Sequence, residues 1–564
     1  MPDMQQNSVA AGGAPAGTSG AVEVGSPDAD QPPATPAYGA EAATAPYAGE
    51  LEDGAAALRT GGTAHAWSLL GGDPELLDRV TRIRRPELLP ARLPVLELAH
   101  ASVAVCSLAA AELCALRGGF GDVPAVRTDD GAVAAAFTSE RRLVVDGRVP
   151  GTFAALSRFW RTADGWVRTH ANYPHHRARL LAALGVEDTG DEQALTDRVA
   201  AELARRGAYE IEESVYAAGG LAVAVRDAAD WSRHPQGAQA AARPLVGFAR
   251  LDQAPPLPLP APDAQGRPAP AGAPGALGGV RVLDLTRVIA GPVATRTLAL
   301  LGADVLRIDA PQLGELPDSH ADTGFGKRST LLDLSSRAGQ ATFEELLAAA
   351  DVVVTGYRPG ALDRFGLAPE SLAGRRPGVV VGQLSAWGAY GPWHRRRGFD
   401  SLVQAASGIA VAESRHRPVR TPQEAPGGDP AGDSGAGVPG ALPAQALDHA
   451  TGYLLAAAVL RSLTEQRRGD CGSRLVRSAL TQTASWLLNG LPETPPAEPV
   501  RGSAAGSDGA DGAGADAAPD AWLAETESPL GRLRYALPPV RHDGSPADWA
   551  TPPGRYGADA ASWR

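Results

Sequence analysis

Downstream of Gly278 the chain alternates between short apolar runs and stretches of helical period. GVRVLDLT (279–286) reads as a buried strand. PVATRTLALLG (292–302) reads as a helix opened by Pro292, whose fixed φ and missing N–H suit a first turn. ADVLRID (303–309) is the next strand, residues 338–350 form another helix, and DVVVTGY (351–357) and GVVVGQLSAWG (378–388) are two more strands. This alternation predicts an α/β fold with a parallel, doubly wound sheet. Such sheets bind ligands beyond the carboxyl ends of their strands, here the loops at 286–291, 309–329, 355–364 and 385–400.

The region 64–251 is also α/β. PVLELAHASVAVCSLAAAELCALRGG (94–119) echoes the unit that starts at Gly279: a short strand, a connection, then an Ala-rich helix closed by Gly. Helices are predicted at 176–185 and 191–206, and a strand near 221–225. The pattern fails in four tracts. Residues 1–60 and 494–520 are low in complexity and predicted disordered, 252–277 is a Pro/Ala linker, and 414–444 is rich in Gly, Pro and Asp. The ordered pieces are then 64–251, 278–413, 445–491 and 521–564.

Charge narrows the partners. The 564 residues carry 52 basic and 64 acidic groups, a net −12, with no basic run beyond three, so neither nucleic acid nor a membrane surface is an expected partner. No apolar stretch of ~18 residues is evident, so no spanning helix is predicted. The N-terminus lacks the basic and apolar parts of a signal peptide. Cys106, Cys114 and Cys471 have no zinc spacing and are too few for a disulfide framework, so a reduced, cytoplasmic protein is expected. Of the 52 basic residues 51 are Arg and one is Lys327. A coding bias that spared one lysine argues that Arg does not serve there.

Several chemistries are absent. The first βα turn, TRVIAGPVATRT, has one Gly and no G-x-G-x-x-G, which excludes a nicotinamide site of the usual kind. There is no P-loop, no H-E-x-x-H and no G-x-S-x-G. His170, His175 and His176 cluster in THANYPHH, but Pro174 interrupts any helical face and no Cys or carboxylate completes a set. They read as loop or structural residues, and no metal is predicted. Cations do gather in the loops of the sheet: Lys327 and Arg328 after Gly326, Arg358 and Arg364 in RPGALDRFGL, and three arginines in RRRGFD (395–400). On an acidic chain these suit a polyanionic small molecule. Asp448 stands at the predicted N-cap of a helix from about 449. It is either a helix cap alone or a carboxylate nucleophile held ionised by the helix N-terminus.

GVRVLDLTRVIAGPVATRTLALLGADVLRI, GFGKRSTLLDL, VTGYRPGALDRFGL, LSAWGAYGPWHRRRGFDSLVQAASGIA and LDHATGYLLAAAVLRSL occur in that order over 278–491. Together they resemble the family III CoA-transferases, also called the CaiB/BaiF family. Segments at 158–186 and 230–239 resemble that family's small domain, and 528–559 its closing segment. The resemblance implies a Rossmann-like sheet with a smaller α/β domain in a fused or rearranged order. A disordered tail at 1–60 precedes a degenerate Rossmann-like half at 64–150 and a small-domain-like region at 151–251. The linker 252–277, the catalytic domain at 278–491, a disordered linker at 492–520 and a closing segment at 521–564 follow.

It also implies a reaction. Asp448 matches the family nucleophile, which takes CoA from an acyl-CoA thioester through a mixed anhydride and an aspartyl-CoA thioester, then passes it to a carboxylic acid. The residues implied to contact CoA are Val288, Ile289, Ala290, Gly326, Lys327, Arg328, Gly356, Tyr357, Arg364 and Arg397. CoA and its thioesters are substrates here, and no tightly bound cofactor is expected. One departure is Ala310, where relatives often carry a base after the acid of the second strand. Racemases of the family have His where this chain has Phe399, which disfavours racemisation. A non-catalytic acyl-CoA-binding relative is the other alternative. The fusion predicts either a homodimer or an intramolecular pseudo-dimer.

Overall fold

The computed structural model describes residues 61–85, 87–151, 153–258, 276–414, 437–491 and 520–564. The disorder expected at 1–60, and most of the tracts at 252–277, 414–444 and 492–520, lies outside the described residues.

The predicted sheet forms with seven strands: β1 (Val246–Arg250), β2 (Arg281–Leu285), β3 (Asp304–Asp309), β4 (Lys327–Leu331), β5 (Val352–Thr355), β6 (Val380–Ser385) and β7 (Arg474–Ala479). Their order is β4-β3-β2-β5-β6-β7-β1. Six are parallel, and β1 alone runs antiparallel, along β7. The central strands are Val- and Leu-rich because both faces are covered; all four residues of β5 are buried. The order reverses between β2 and β5, which puts the ligand crevice at the loops that follow them.

Two helices make the core between the halves of the chain. α1 (Val95–Gly118) packs against α4 (Ala446–Arg467); α2 (Ala290–Leu300) and α3 (Asp400–Ser407) lie between them in sequence. Both long helices are Ala-rich and covered on nearly every side, as a fully buried helix must be. Glu112 on α1 and Arg461 on α4 pair in this interior, and Arg461 also donates to the Gly71 carbonyl at 2.8 Å. α1 corrects two expectations. The echo at 94–119 is one continuous helix, because Ala, Leu and Glu favour helix and no Gly or Pro interrupts Val95–Arg117. It ends at Gly119, whose φ of 67° is left-handed. α1 is also long and apolar enough to cross a membrane, contrary to the sequence reading, yet 94% of that window is buried within the protein.

α1 is the crossover of a single βαβ unit that joins Val80–Ile83 to the parallel Val126–Asp129. Phe159–Arg161, Trp166–Thr169 and Ala222–Ala224 form a separate antiparallel sheet, which shares its own apolar core with the helices between them. The segments interlock. β1, from the first half, edges the seven-stranded sheet. The hairpin Leu523–Ser528 and Gly531–Ala536 pairs with Val144–Val145. The tail lies along β4, where the Ser329 N–H donates to Asp559 at 2.8 Å.

Candidate active site

Asp448 is the third residue of α4, and its predicted place at the N-cap is therefore corrected. The cap position is Gln445, whose side chain makes no capping bond. The open N–H groups are satisfied from another helix. Asp400, at the start of α3, accepts the Asp448 N–H at 2.9 Å. Gln404, one turn on, donates to Asp400 at 2.5 Å and accepts the Leu442 N–H at 2.9 Å. Asp448 keeps its own carboxylate for other chemistry. One turn along α4, a Cβ on Gly452 would lie 2.5 Å from the Ala290 carbonyl, so only Gly lets α4 approach the start of α2 so closely.

That approach brings Asp448 to the first βα turn. Val288 in this turn has φ 71°, a strained conformation for a β-branched residue. The Val288 N–H donates to Glu315 at 3.0 Å, and the Tyr173 hydroxyl donates to the same carboxylate at 2.6 Å. Arg307 donates to it as well, at 3.1 Å. Burial pushes Glu315 up, but Arg307 and Arg287 outweigh it and hold the carboxyl below its usual range.

Two cavities meet at Asp448. One, of about 220 Å³, has Glu140, Arg141, Ile289, His170 and Asp400 in its wall. The other, of about 160 Å³, is lined by Arg287, Ala290, Gly356, Tyr357, Arg358 and Arg397 among others. Tyr173, Val288 and Phe399 border both, as Asp448 does. Burial, and then the charges of Asp400 and Glu140, push the Asp448 carboxyl well above its ordinary value. Burial likewise pushes Asp400 up to about 6.

Of the residues singled out from sequence, Val288, Ile289, Ala290, Gly356, Tyr357 and Arg397 line these cavities with Asp448. Gly326, Lys327, Arg328 and Arg364 line neither. Gly326, at φ 72°, is covered by Trp549. Arg328 is held by Asp304 at 2.8 Å and by the Ser562 carbonyl at 2.5 Å. Arg364 lies over the Phe365 ring.

Lys327 is buried away from both cavities. Its stem reaches from β4 past β3 to β2, and its three N–H groups meet three acceptors: Asp284 at 3.0 Å, the Pro292 carbonyl at 2.9 Å and Thr295 Oγ1 at 2.5 Å. The three acceptors suit a compact ammonium better than a planar guanidinium, which gives the lone lysine a packing account of its own. Lys327→Met should cost about 3–5 kcal/mol by leaving Asp284 unpaired inside the protein; denaturant midpoints measure it. Burial pulls the ammonium down to about 8, against the attraction of Asp284. The unfolded chain therefore holds more protons between about pH 8 and its own value of 10.5. Lys327 makes the wild type more stable as pH rises through that window, and the Met variant should lose the slope.

The histidines, read from the sequence as loop or structural residues, pack beside Asp448's cavities. His170 lies flat on Phe399, with centroids 3.8 Å apart and planes at 3°, and His176 is edge-on to the same ring. Both are buried, and burial lowers His170 to about 3 and His176 to about 2, so the rings are neutral. Among the described residues, no group of three or more His, Cys, Asp or Glu is placed to hold a metal.

Residues 277–524 match CoA-transferase family III. That segment belongs to the family. Over 225 residues the chain is 32% identical to a probable fatty acyl-CoA transferase of Mycobacterium tuberculosis, covering 37% of this chain and 52% of that protein. It is 30% identical over 275 residues to an acetyl-coenzyme A transferase of Hypoxylon pulicicidum, 46% of this chain and 45% of that one. It is 32% identical over 179 residues to a succinyl-CoA–L-malate CoA-transferase alpha subunit of Chloroflexus aurantiacus, 29% and 41% of the two chains. The crystal structure of a hypothetical protein from Mycobacterium tuberculosis matches at 32% identity over 39% of this chain and 57% of that one, with a TM-score of 0.33. The chain spans about half the length of the curated relatives it matches.

Proposed function

We propose that this protein is a CoA-transferase that moves CoA from an acyl-CoA to a carboxylic acid through Asp448. The observation that carries the reading is the position of Asp448, at the junction of a cavity with several arginines in its wall and a second cavity with a mixed wall. Arg287, Arg358 and Arg397 suit the phosphates of CoA, and the second cavity suits the acyl group. The Asp448 carboxylate attacks the thioester carbonyl and expels CoA thiolate, leaving an acyl-aspartyl anhydride. The thiolate attacks the aspartyl carbonyl and releases the donor acid, leaving an aspartyl-CoA thioester. The acceptor carboxylate attacks this thioester and expels the thiolate again. The thiolate then takes the acceptor acyl group and frees Asp448. Keeping the thiolate in place makes each step intramolecular.

The test is mass spectrometry of the protein with a panel of acyl-CoAs, followed by hydroxylamine. A CoA-sized adduct, and hydroxamate on the peptide with Asp448, is expected; no adduct with any thioester would sink the reading. Asp400 acts in this scheme as a positioning residue for the turn that carries Asp448. Asp400→Asn keeps the shape but removes a charge beside the nucleophile. It should lower kcat by about 10- to 100-fold with KM little changed, as for a displaced reacting group. With that charge gone, the acidic limb of the kcat profile should move to lower pH, whereas a merely structural residue would leave the limb in place.

A further inference from the structure

A third cavity, of about 270 Å³, does not touch Asp448. It lies past the carboxyl ends of β5 and β6 and against β7 and β1, so its wall joins the family segment to the first half of the chain. Three arginines from three elements line it: Arg243 before β1, Arg358 after β5 and Arg477 on β7. Among the described residues none of them is in an ion pair. Arg477 donates to Gln383 at 3.3 Å and Arg243 to Gln239 at 3.4 Å, both long, while the Arg358 guanidinium meets no hydrogen-bond partner among the described residues. The buried Ser478 hydroxyl in the same wall meets no partner among the described residues. The rest of the wall is largely apolar, with Leu362, Leu367, Leu384 and Phe248. Arg243 stands 3.9 Å from the centroid of the Tyr390 ring.

We propose that this cavity is a binding site for a free organic acid: a carboxylate at Arg243 and Arg477, and a short apolar body on the leucines. Unpaired guanidiniums from separate elements recognise a carboxylate by paired N–H donation. The apolar wall excludes a bare inorganic anion as the natural occupant, and Asp363, the one carboxylate in the lining, opposes a polyanion. Tyr357, Arg358, Leu384 and Ser385 line both this cavity and the arginine-walled one at Asp448. An acid held here is therefore next to the proposed CoA channel, although its binding does not depend on that reading.

The experiment is equilibrium dialysis of the full chain with hexanoate, with hexanol and inorganic phosphate as competitors. Saturable hexanoate binding is expected, at least tenfold weaker in Arg477→Gln and Arg243→Gln, with both variants still taking up the CoA adduct if the wild type does. A wild type that forms no adduct but still binds hexanoate in this way would remove the CoA-transferase reading and leave the site. Crystals soaked in 6-bromohexanoate should place bromine in the cavity with Arg243 and Arg477. Bromine found only beside Asp448, unchanged affinity in both variants, or displacement by hexanol or phosphate as effective as by hexanoate itself would overturn the proposal.

Discussion

Asp448→Asn should abolish CoA transfer while making the protein more stable. Turnover should fall by roughly 10⁴-fold or more, the scale of loss when a covalent nucleophile is deleted, because an amide offers no carboxylate to the thioester. Binding of CoA should survive, since Arg287, Arg358 and Arg397 are untouched. The gain in stability follows from the same placement that the proposed mechanism uses. Asp448 is buried with Asp400 and Glu140 near it, and both burial and those charges disfavour its ionised form. Above pH 3.8 the unfolded chain has released a proton that the native carboxyl still holds. Native stability therefore falls as pH rises from there until the folded carboxyl has ionised too. The Asn variant should lack this fall and should melt higher than wild type at pH 7–8, by about 1–3 kcal/mol for relief of an uncompensated buried group. Near-normal turnover in the variant would remove Asp448 from the mechanism. A melting point at or below wild type would mean that the site does not strain the carboxylate.

What the sequence reveals, and what it hides, follows from the range of the forces involved. The parallel sheet was legible because strands covered on both faces are written as local Val and Leu runs, as in 351–357. The start of α4 was legible too, but its cap was placed three residues late. The group that caps it is Asp400, 48 residues away, and no local rule names it. Composition alone singles out Lys327, but it does not reveal that the acceptors of its ammonium lie on β2 and α2. The histidines at 170–176 carry no local signal of a site, because the ring they pack on, Phe399, is more than 200 residues downstream. Glu315 is a single acid in an irregular loop, yet it joins Tyr173, Val288 and Arg307. The helix at 95–118 reads locally as a strand followed by a helix because Ala-rich apolar sequence permits a short strand until its burial partner, α4, is known.

Residues 270–564 expressed alone should be insoluble or inactive, and co-expression with 60–255 should restore both solubility and CoA transfer. The cut removes α1 from α4, exposing a helix whose residues are buried on nearly every side. A bare apolar face of that length drives aggregation. It also leaves Arg461 without Glu112, and breaking a buried ion pair from one side costs about 3–5 kcal/mol. Edge strand β1 leaves the sheet, which opens the hydrogen-bonding edge of β7 to other chains. The site loses Tyr173 from Glu315 and His170 from Phe399, and with them one wall of each cavity at Asp448. Because β1, α1 and these side chains all belong to 60–255, that fragment restores the sheet edge, the helix pair and the site together. Analytical gel filtration of the single and co-expressed fragments, followed by acyl-CoA adduct formation, is the measurement. A soluble 270–564 fragment that transfers CoA at the full-length rate would make the first half a separate domain, and the interlocked surfaces dispensable to catalysis.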